Sequence, residues 1–163
     1  MSRRSEPVQS LSLQQISDRL LIQDLIVEEA AAIDERAWDR WQAFYTDDAL
    51  IDWSGNRGAR GNPAEVRAWA ESVLSTANFP YPQYQHYCTN FRIRVDGDRA
   101  SARHLQLIPI SVPAADAGRQ MAFSGIWFDD EFVRSAVGWR ICARRETLAW
   151  SHNFPDRFEV PTP

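Results

Sequence analysis

The 163-residue chain carries only two cysteines and three histidines, and no apolar run in it approaches the roughly 18 residues that a membrane helix needs. Each shortage narrows the field. Cys88 and Cys142 are too few for a disulfide framework and show no zinc-ligand spacing, so a reduced, cytoplasmic setting is expected. No membrane partner is expected. Residues 1–10 hold Arg3 and Arg4 with no apolar segment behind them, which does not read as a signal peptide. Positive charge is also in short supply. The net charge is -4 and the arginines are scattered, so no nucleic-acid partner is expected. No Gly-x-Ser-x-Gly elbow, phosphate loop or dinucleotide fingerprint occurs. The glycines between Gly55 and Gly61 lie outside any βαβ unit and read as a loop. Isolated histidines without paired thiolate or carboxylate spacing give no metal site, and no cofactor is expected.

What the chain does have is aromatic side chains: seven Trp, eight Phe and four Tyr. Buried Trp and Tyr need a partner for their polar atom, so this richness suits a ligand-sized interior. Along the chain, residues 1–10 read as disordered. Residues 11–36 lack Gly and Pro and read as one long helix. At about 100° per residue, Leu13, Ile16, Leu20, Val27, Ala30 and Ala31 share a face, and Asp34 projects onto its middle. A short helix over 37–45 would bury Trp38, Trp41 and Phe44. A strand over 49–53 and a Gly-rich loop over 54–62 follow. Asn62 before Pro63 then opens a helix to about residue 76, broken by the two prolines of 79–82.

The remainder reads as strands over 84–95, 99–112, 120–134 and 138–150. Asp96-Gly97-Asp98 is a strong hairpin signal between the first two. Helices followed by long antiparallel strands predict a single α+β domain over 11–150, its helices on one face of a bent sheet. The tail over 151–163 is expected to lie over that domain.

Three residues stand out chemically. An unpaired carboxylate on a buried stripe is expensive, so Asp34 calls for a donor; alternatively it is a solvated helix-end carboxylate near Arg36. Strand alternation puts His86, Cys88 and Asn90 on one face and Tyr87, Phe91, Ile93 and Val95 on the other. His104 shares a small, apolar face with Ala100, Ala102, Gln106, Ile108 and Ile110, so it points inward. Both histidines are equally read as core residues satisfied by backbone carbonyls. His152 reads as a surface residue.

Several segments together resemble the SnoaL-like branch of the nuclear transport factor 2-like superfamily. They are Ile16-Ser17-Asp18-Arg19, Ala32-Ile33-Asp34 with Trp38-Asp39, Phe44-Tyr45-Thr46-Asp47-Asp48-Ala49, His86-Tyr87-x-Thr89-Asn90, Val95-Asp96-Gly97-Asp98, and Gly138-Trp139-Arg140-Ile141 with Arg144. The resemblance covers about residues 12–150. It implies a cone-shaped α+β barrel, a strongly curved antiparallel sheet wrapped around N-terminal helices with an apolar pocket inside. It also implies a homodimer or homotrimer, for which the outer strand residues Tyr87, Phe91, Ile93 and Val95 would be available.

By resemblance to the family's dehydratases and dehydrochlorinases, Asp34 would orient His86 as a catalytic base. His104 would be a second inward histidine, and it, or His86 itself in a syn elimination, would protonate the departing hydroxyl. Arg144, or Arg145 if the strand is bulged, would reach the pocket. The implied reaction is elimination of water from an apolar or polycyclic small molecule, a cofactor-independent lyase of the dehydratase kind. Isomerase, cyclase and plain binding-domain readings stand beside it. Asn90 and Arg144 would hold a substrate oxygen. Trp53, Phe123, Trp127 and Trp150 would form walls, and Tyr45, Tyr84 or Tyr87 would supply a hydroxyl. Scytalone dehydratase has tyrosines where this chain has Ile33 and Trp53, so scytalone is not the expected substrate.

Overall fold

Ser12 starts the first helix as an N-cap. Its hydroxyl accepts the Gln15 backbone N–H while the Gln15 side chain accepts the Ser12 N–H, a reciprocal capping box. The helix, α1, runs Leu13–Asp34. The computed structural model describes residues 10–74, 84–114 and 118–155. Most of the expected disordered N-terminus, the proline break at 79–82 and the end of the tail lie outside the described residues.

The buried face of α1 differs from the expected one. Ile22, Leu25, Ile26, Glu29 and Ile33 are buried, whereas Leu13 is 85% exposed and Ile16, Leu20 and Val27 are also exposed. Apolar residues stand all around this helix, and two carboxylates, Asp18 and Glu29, occupy its buried side. An angular count of hydrophobics therefore favours the wrong face. Asp18 is satisfied by Arg134 at 2.8 Å and by the Trp139 indole N–H at 3.2 Å. The Arg134 hydrogen bond holds its carboxyl below the usual range.

A short helix, α2 (Trp38–Gln42), buries Trp41 and leads into β1 (Tyr45–Asp52). A 3-10 turn over Ser54–Asn56 and a two-residue strand, β2 (Arg60–Gly61), follow. Asn62 caps α3 (Pro63–Val73) with Pro63 in its first turn, as expected. Four long strands complete the fold: β3 (Tyr87–Asp96), β4 (Arg99–Pro113), β5 (Arg119–Ser135) and β6 (Gly138–His152). Gly97 makes the β3–β4 turn at φ 58°, a conformation open to glycine at little cost.

The six strands form one curved, unclosed sheet in the order β2-β1-β6-β5-β4-β3. Neighbours are antiparallel except β1 and β6, which run parallel. Strands average about 5–6 residues, so strands of 15 and 17 residues stay in one sheet by bending. The bends fall at bulges, where an extra residue kinks one strand. They lie between Thr89 and Arg92 on β3 and at Cys142 and Ala149 on β6, which are the extra residues in its pairing with β5. α1 and α3 fill the concave side, packing Ile22, Ile26 and Val66 against Ile93, Phe132 and Ile141 in one core.

The β3 bulge changes which residues face in. Asn90 and Phe91 together stand opposite His104, and Asn90 takes φ 56°. Alternation reverses there, so Phe91 and Ile93 turn inward against the core instead of joining Tyr87 outside. The outer apolar face expected from Phe91, Ile93 and Val95 is therefore absent.

Candidate active site

Asp34 ends α1, where the negative end of the helix dipole disfavours a carboxylate. Two donors from one residue offset this. The His86 backbone N–H donates to Asp34 Oδ2 at 3.0 Å, and His86 Nδ1 lies 2.6 Å from Oδ1. A carboxylate accepts, so Nδ1 donates, and in the neutral ring this tautomer puts the lone pair on Nε2. Nε2 has no partner among the described residues. The Tyr84 ring stands edge-on to the imidazole at 5.7 Å, and the Tyr84 hydroxyl donates to the Ile33 carbonyl at 3.2 Å.

His86 opens onto a cavity of about 180 Å³ between the concave sheet and the helices. Its apolar walls include Ile33, Trp53, Trp69, Ile108, Ile126 and Phe128, and its polar groups are Tyr84, His86, Gln106, Ser124, Arg144 and Glu146, with Asn56 at the rim. Phe154, just beyond β6, also touches it. The cavity is slightly larger than the roughly 150 Å³ hole that admits one benzene.

Behind this cavity lies a buried ionic network. Arg144 is 2% exposed and grips Asp130 with two hydrogen bonds of 2.8 Å, while its third contact is a short one to Glu29. Glu29 also accepts the Trp41 indole N–H at 2.6 Å and the Tyr45 hydroxyl at 2.8 Å. Burial alone would raise the Asp130 carboxyl. The charge of Arg144 and the bonds from Arg144 and His104 outweigh it and hold the group at about 2. His104 Nε2 meets Asp130 at 3.1 Å, and its ring lies stacked between Phe91 and Phe128.

Sequence-derived site residues thus fall into three groups. Asp34, His86, Trp53, Tyr84 and Arg144 gather at or beside the cavity, with Arg144 rather than Arg145 facing in. His104 and Tyr45 point into the core but are absent from the cavity wall, because Asp130 and Glu29 hold them in the layer behind. Asn90, Phe123, Trp127 and Trp150 are corrections. Asn90 is thrown outward at the β3 bulge. On β5 the inward parity belongs to Ser124, Ile126, Phe128 and Asp130, so Phe123 and Trp127 face out, Trp127 beneath the Arg103 guanidinium at 5.0 Å. Pairing of Gly125 with Trp150 and of Ile126 with Leu148 leaves Ala149 as an extra residue that turns Trp150, 46% exposed, onto the outer face.

The sequence pattern placed Gln106 on the inward face without a role in the site, and Glu29, Asp130 and Glu146 were missed. Glu146 was within reach, since it lies two residues beyond Arg144 on the same strand face. Glu29 follows Ile22 and Ile26 at helical spacing. Asp130 meets Arg144 only through the β5–β6 register. Among the described residues no group of three or more His, Cys, Asp or Glu side chains could hold a metal ion, and no helix is long and apolar enough to cross a membrane.

Comparison with known proteins agrees with this architecture. An uncharacterised protein of Mycobacterium tuberculosis (strain H37Rv) is 43% identical over 137 residues, covering 84% of this chain and 89% of that one. Hexachlorocyclohexane dehydrochlorinase LinA-type3 from Novosphingobium barchaimii superposes with a TM-score of 0.66 at 20% identity, covering 90% of this chain and 96% of its own. A protein from Kribbella flavida gives 0.72 at 22%, with 85% and 95% covered. At such identities the two structures share the fold alone. The SnoaL-like domain family matches residues 14–145, and the chain belongs to that family, within the nuclear transport factor 2-like superfamily.

Proposed function

We propose that this protein is a cofactor-independent lyase that removes water from a small, apolar, hydroxylated ring compound, with His86 as the base that takes a proton from carbon. One observation carries the reading: Asp34 holds His86 by two hydrogen bonds of 2.6 and 3.0 Å, leaving Nε2 unpartnered at an apolar cavity. Asp34 is then a positioning residue, which fixes the tautomer and stabilises the imidazolium formed on proton transfer. Apolar walls exclude water, so each polar contact with a substrate oxygen counts for more. A cavity of about 180 Å³ suits a one-ring molecule, the smaller end of the apolar or polycyclic range expected from family resemblance. A dehydrochlorinase of the same fold performs a related elimination, which supports the reaction class.

An isomerase using the same dyad is the second reading. It is favoured by Glu146, a carboxyl pushed up to about 8 by burial, because a neutral acid can hold an enolate oxygen while the proton returns to another carbon. Incubating the protein with one-ring β-hydroxy ketones and weighing the products separates the two. Elimination lowers the mass by one water and isomerisation leaves it unchanged. His86→Ala is expected to cut conversion by about 10²–10⁴-fold with the melting transition intact. Conversion at the wild-type rate in that variant would refute the proposal.

A further inference from the structure

The cavity has a second polar end that the dyad does not use. Glu146 lies on β6, three strands from β3 in the sheet, so it approaches the cavity from a different wall than His86. It is 8% exposed, and the bond its carboxylate accepts is from the Asn56 backbone N–H, at 2.8 Å to Oε1. Oε2 has no partner among the described residues. Trp53, 8% exposed, lines the same cavity, and its buried indole N–H has no acceptor among the described residues. A buried donor left unmade costs about 1–3 kcal/mol, and both side chains line the cavity.

The corner is held rigidly. A side chain at Gly55 would come within 2.4 Å of the Glu146 carbonyl oxygen, so the 3-10 turn packs directly on β6 and fixes Asn56 over the carboxyl. Charged neighbours do not pair with Glu146. Asp52 approaches from β1. Arg144 on the same strand is already engaged by Asp130 of β5 and Glu29 of α1. His86, held by Asp34, lines the same cavity, and α3 contributes the apolar Trp69 and Val73 to its lining.

We propose that Glu146 and the Trp53 indole N–H form an oxygen-binding subsite, in which a neutral Glu146 donates a hydrogen bond to a substrate carbonyl or hydroxyl and protonates the departing hydroxyl. The inference rests on the reading of the cavity as a small-molecule lyase site and adds the missing acid. In the balanced step His86 takes the proton from carbon and the C–H electrons form the C=C bond. The C–O bond breaks with its electrons on oxygen, and the Glu146 proton completes water. Solvent then returns a proton to Glu146 and removes one from His86. Burial, which holds the Glu146 carboxyl at about 8, keeps it a donor at neutral pH.

The test uses acetophenone, a one-ring carbonyl acceptor, on the full chain. Its affinity is measured by calorimetry from about pH 6.5 to about 9.5, alongside the Asn56 amide shift by NMR. The amide reports Glu146 ionisation directly in wild-type protein, so the test does not depend on any variant folding. The expected result is an amide step near pH 8 with at least a tenfold loss of affinity across it, because an ionised carboxylate can no longer donate. Glu146→Gln, which keeps an acceptor for Asn56 and an N–H₂ donor, should show no step and less than a twofold change. Trp53→Phe should bind about fivefold more weakly with the step in place. An Asn56 step in the ordinary glutamate range, or the same loss of affinity in Glu146→Gln, overturns the proposal. His86→Gln separates the two ideas: it should keep the acetophenone step while abolishing turnover. A step that vanishes in His86→Gln but persists in Glu146→Gln assigns the titration to His86 and overturns the Glu146 inference alone.

Discussion

Replacing Glu146 by Gln should stabilise the fold, and only at neutral to alkaline pH. The carboxyl rises from an ordinary 4.5 to about 8 on folding, so the native state binds the proton more tightly than the unfolded chain. A raised pKa contributes stability that is complete below 4.5 and is lost as pH climbs through about 8. The span is 8 − 4.5, or 3.5 units, and at about 1.4 kcal/mol per unit the loss is about 5 kcal/mol. Gln has the same shape and does not ionise, so Glu146→Gln removes the slope. At about 2–4 °C per kcal/mol for a chain of this size, the variant should melt about 10–20 °C above wild type at pH 9 and within a few degrees of it at pH 5. Melts followed by circular dichroism at pH 5, 7 and 9 measure this. Two parallel curves, with the same gap at every pH, would refute the buried neutral acid.

Other expectations follow from the same network. Arg144→Met leaves Glu29 and Asp130 buried without a cation and should cost about 3–5 kcal/mol, seen as a fall in denaturation midpoint. The surface change Arg145→Met should move the midpoint by less than about 0.5 kcal/mol. Cys88 is pushed up to about 12 by burial, so it should resist iodoacetamide at pH 8 in the native protein and react once unfolded, as mass spectrometry would show. Asp34→Asn should leave the melting point near wild type but slow turnover by at least tenfold, because an amide can hold the imidazole in the wrong tautomer.

Parts of this molecule were legible in its residues and parts were not. The Asn62-Pro63 start of α3 and the Asp96-Gly97-Asp98 hairpin are local chemistry, read from a few neighbouring residues. The inward face of β4, with His104, Gln106, Ile108 and Ile110, follows from simple alternation on an uninterrupted strand. Family resemblance supplied the pairing of Asp34 with His86, which no periodicity links across 52 positions. Two of the failures share one cause. Asn90 and Trp150 sit beside bulges, where one extra residue reverses which side faces in, and a bulge leaves no clear mark in composition. The buried side of α1 was masked because it carries Asp18 and Glu29, whose partners Arg134 and Arg144 come from distant strands.

Elimination and isomerisation share one step, removal of a proton from carbon by His86, and it can be observed without knowing the natural substrate. Acetophenone in D₂O gains deuterium at its methyl carbon when a base removes that proton, and mass spectrometry counts the exchange. Wild-type protein is expected to show enzyme-dependent incorporation that falls by about 10²-fold or more in His86→Gln. Incorporation at the same rate in both proteins, or none above buffer in either, would contradict a base at Nε2 of His86.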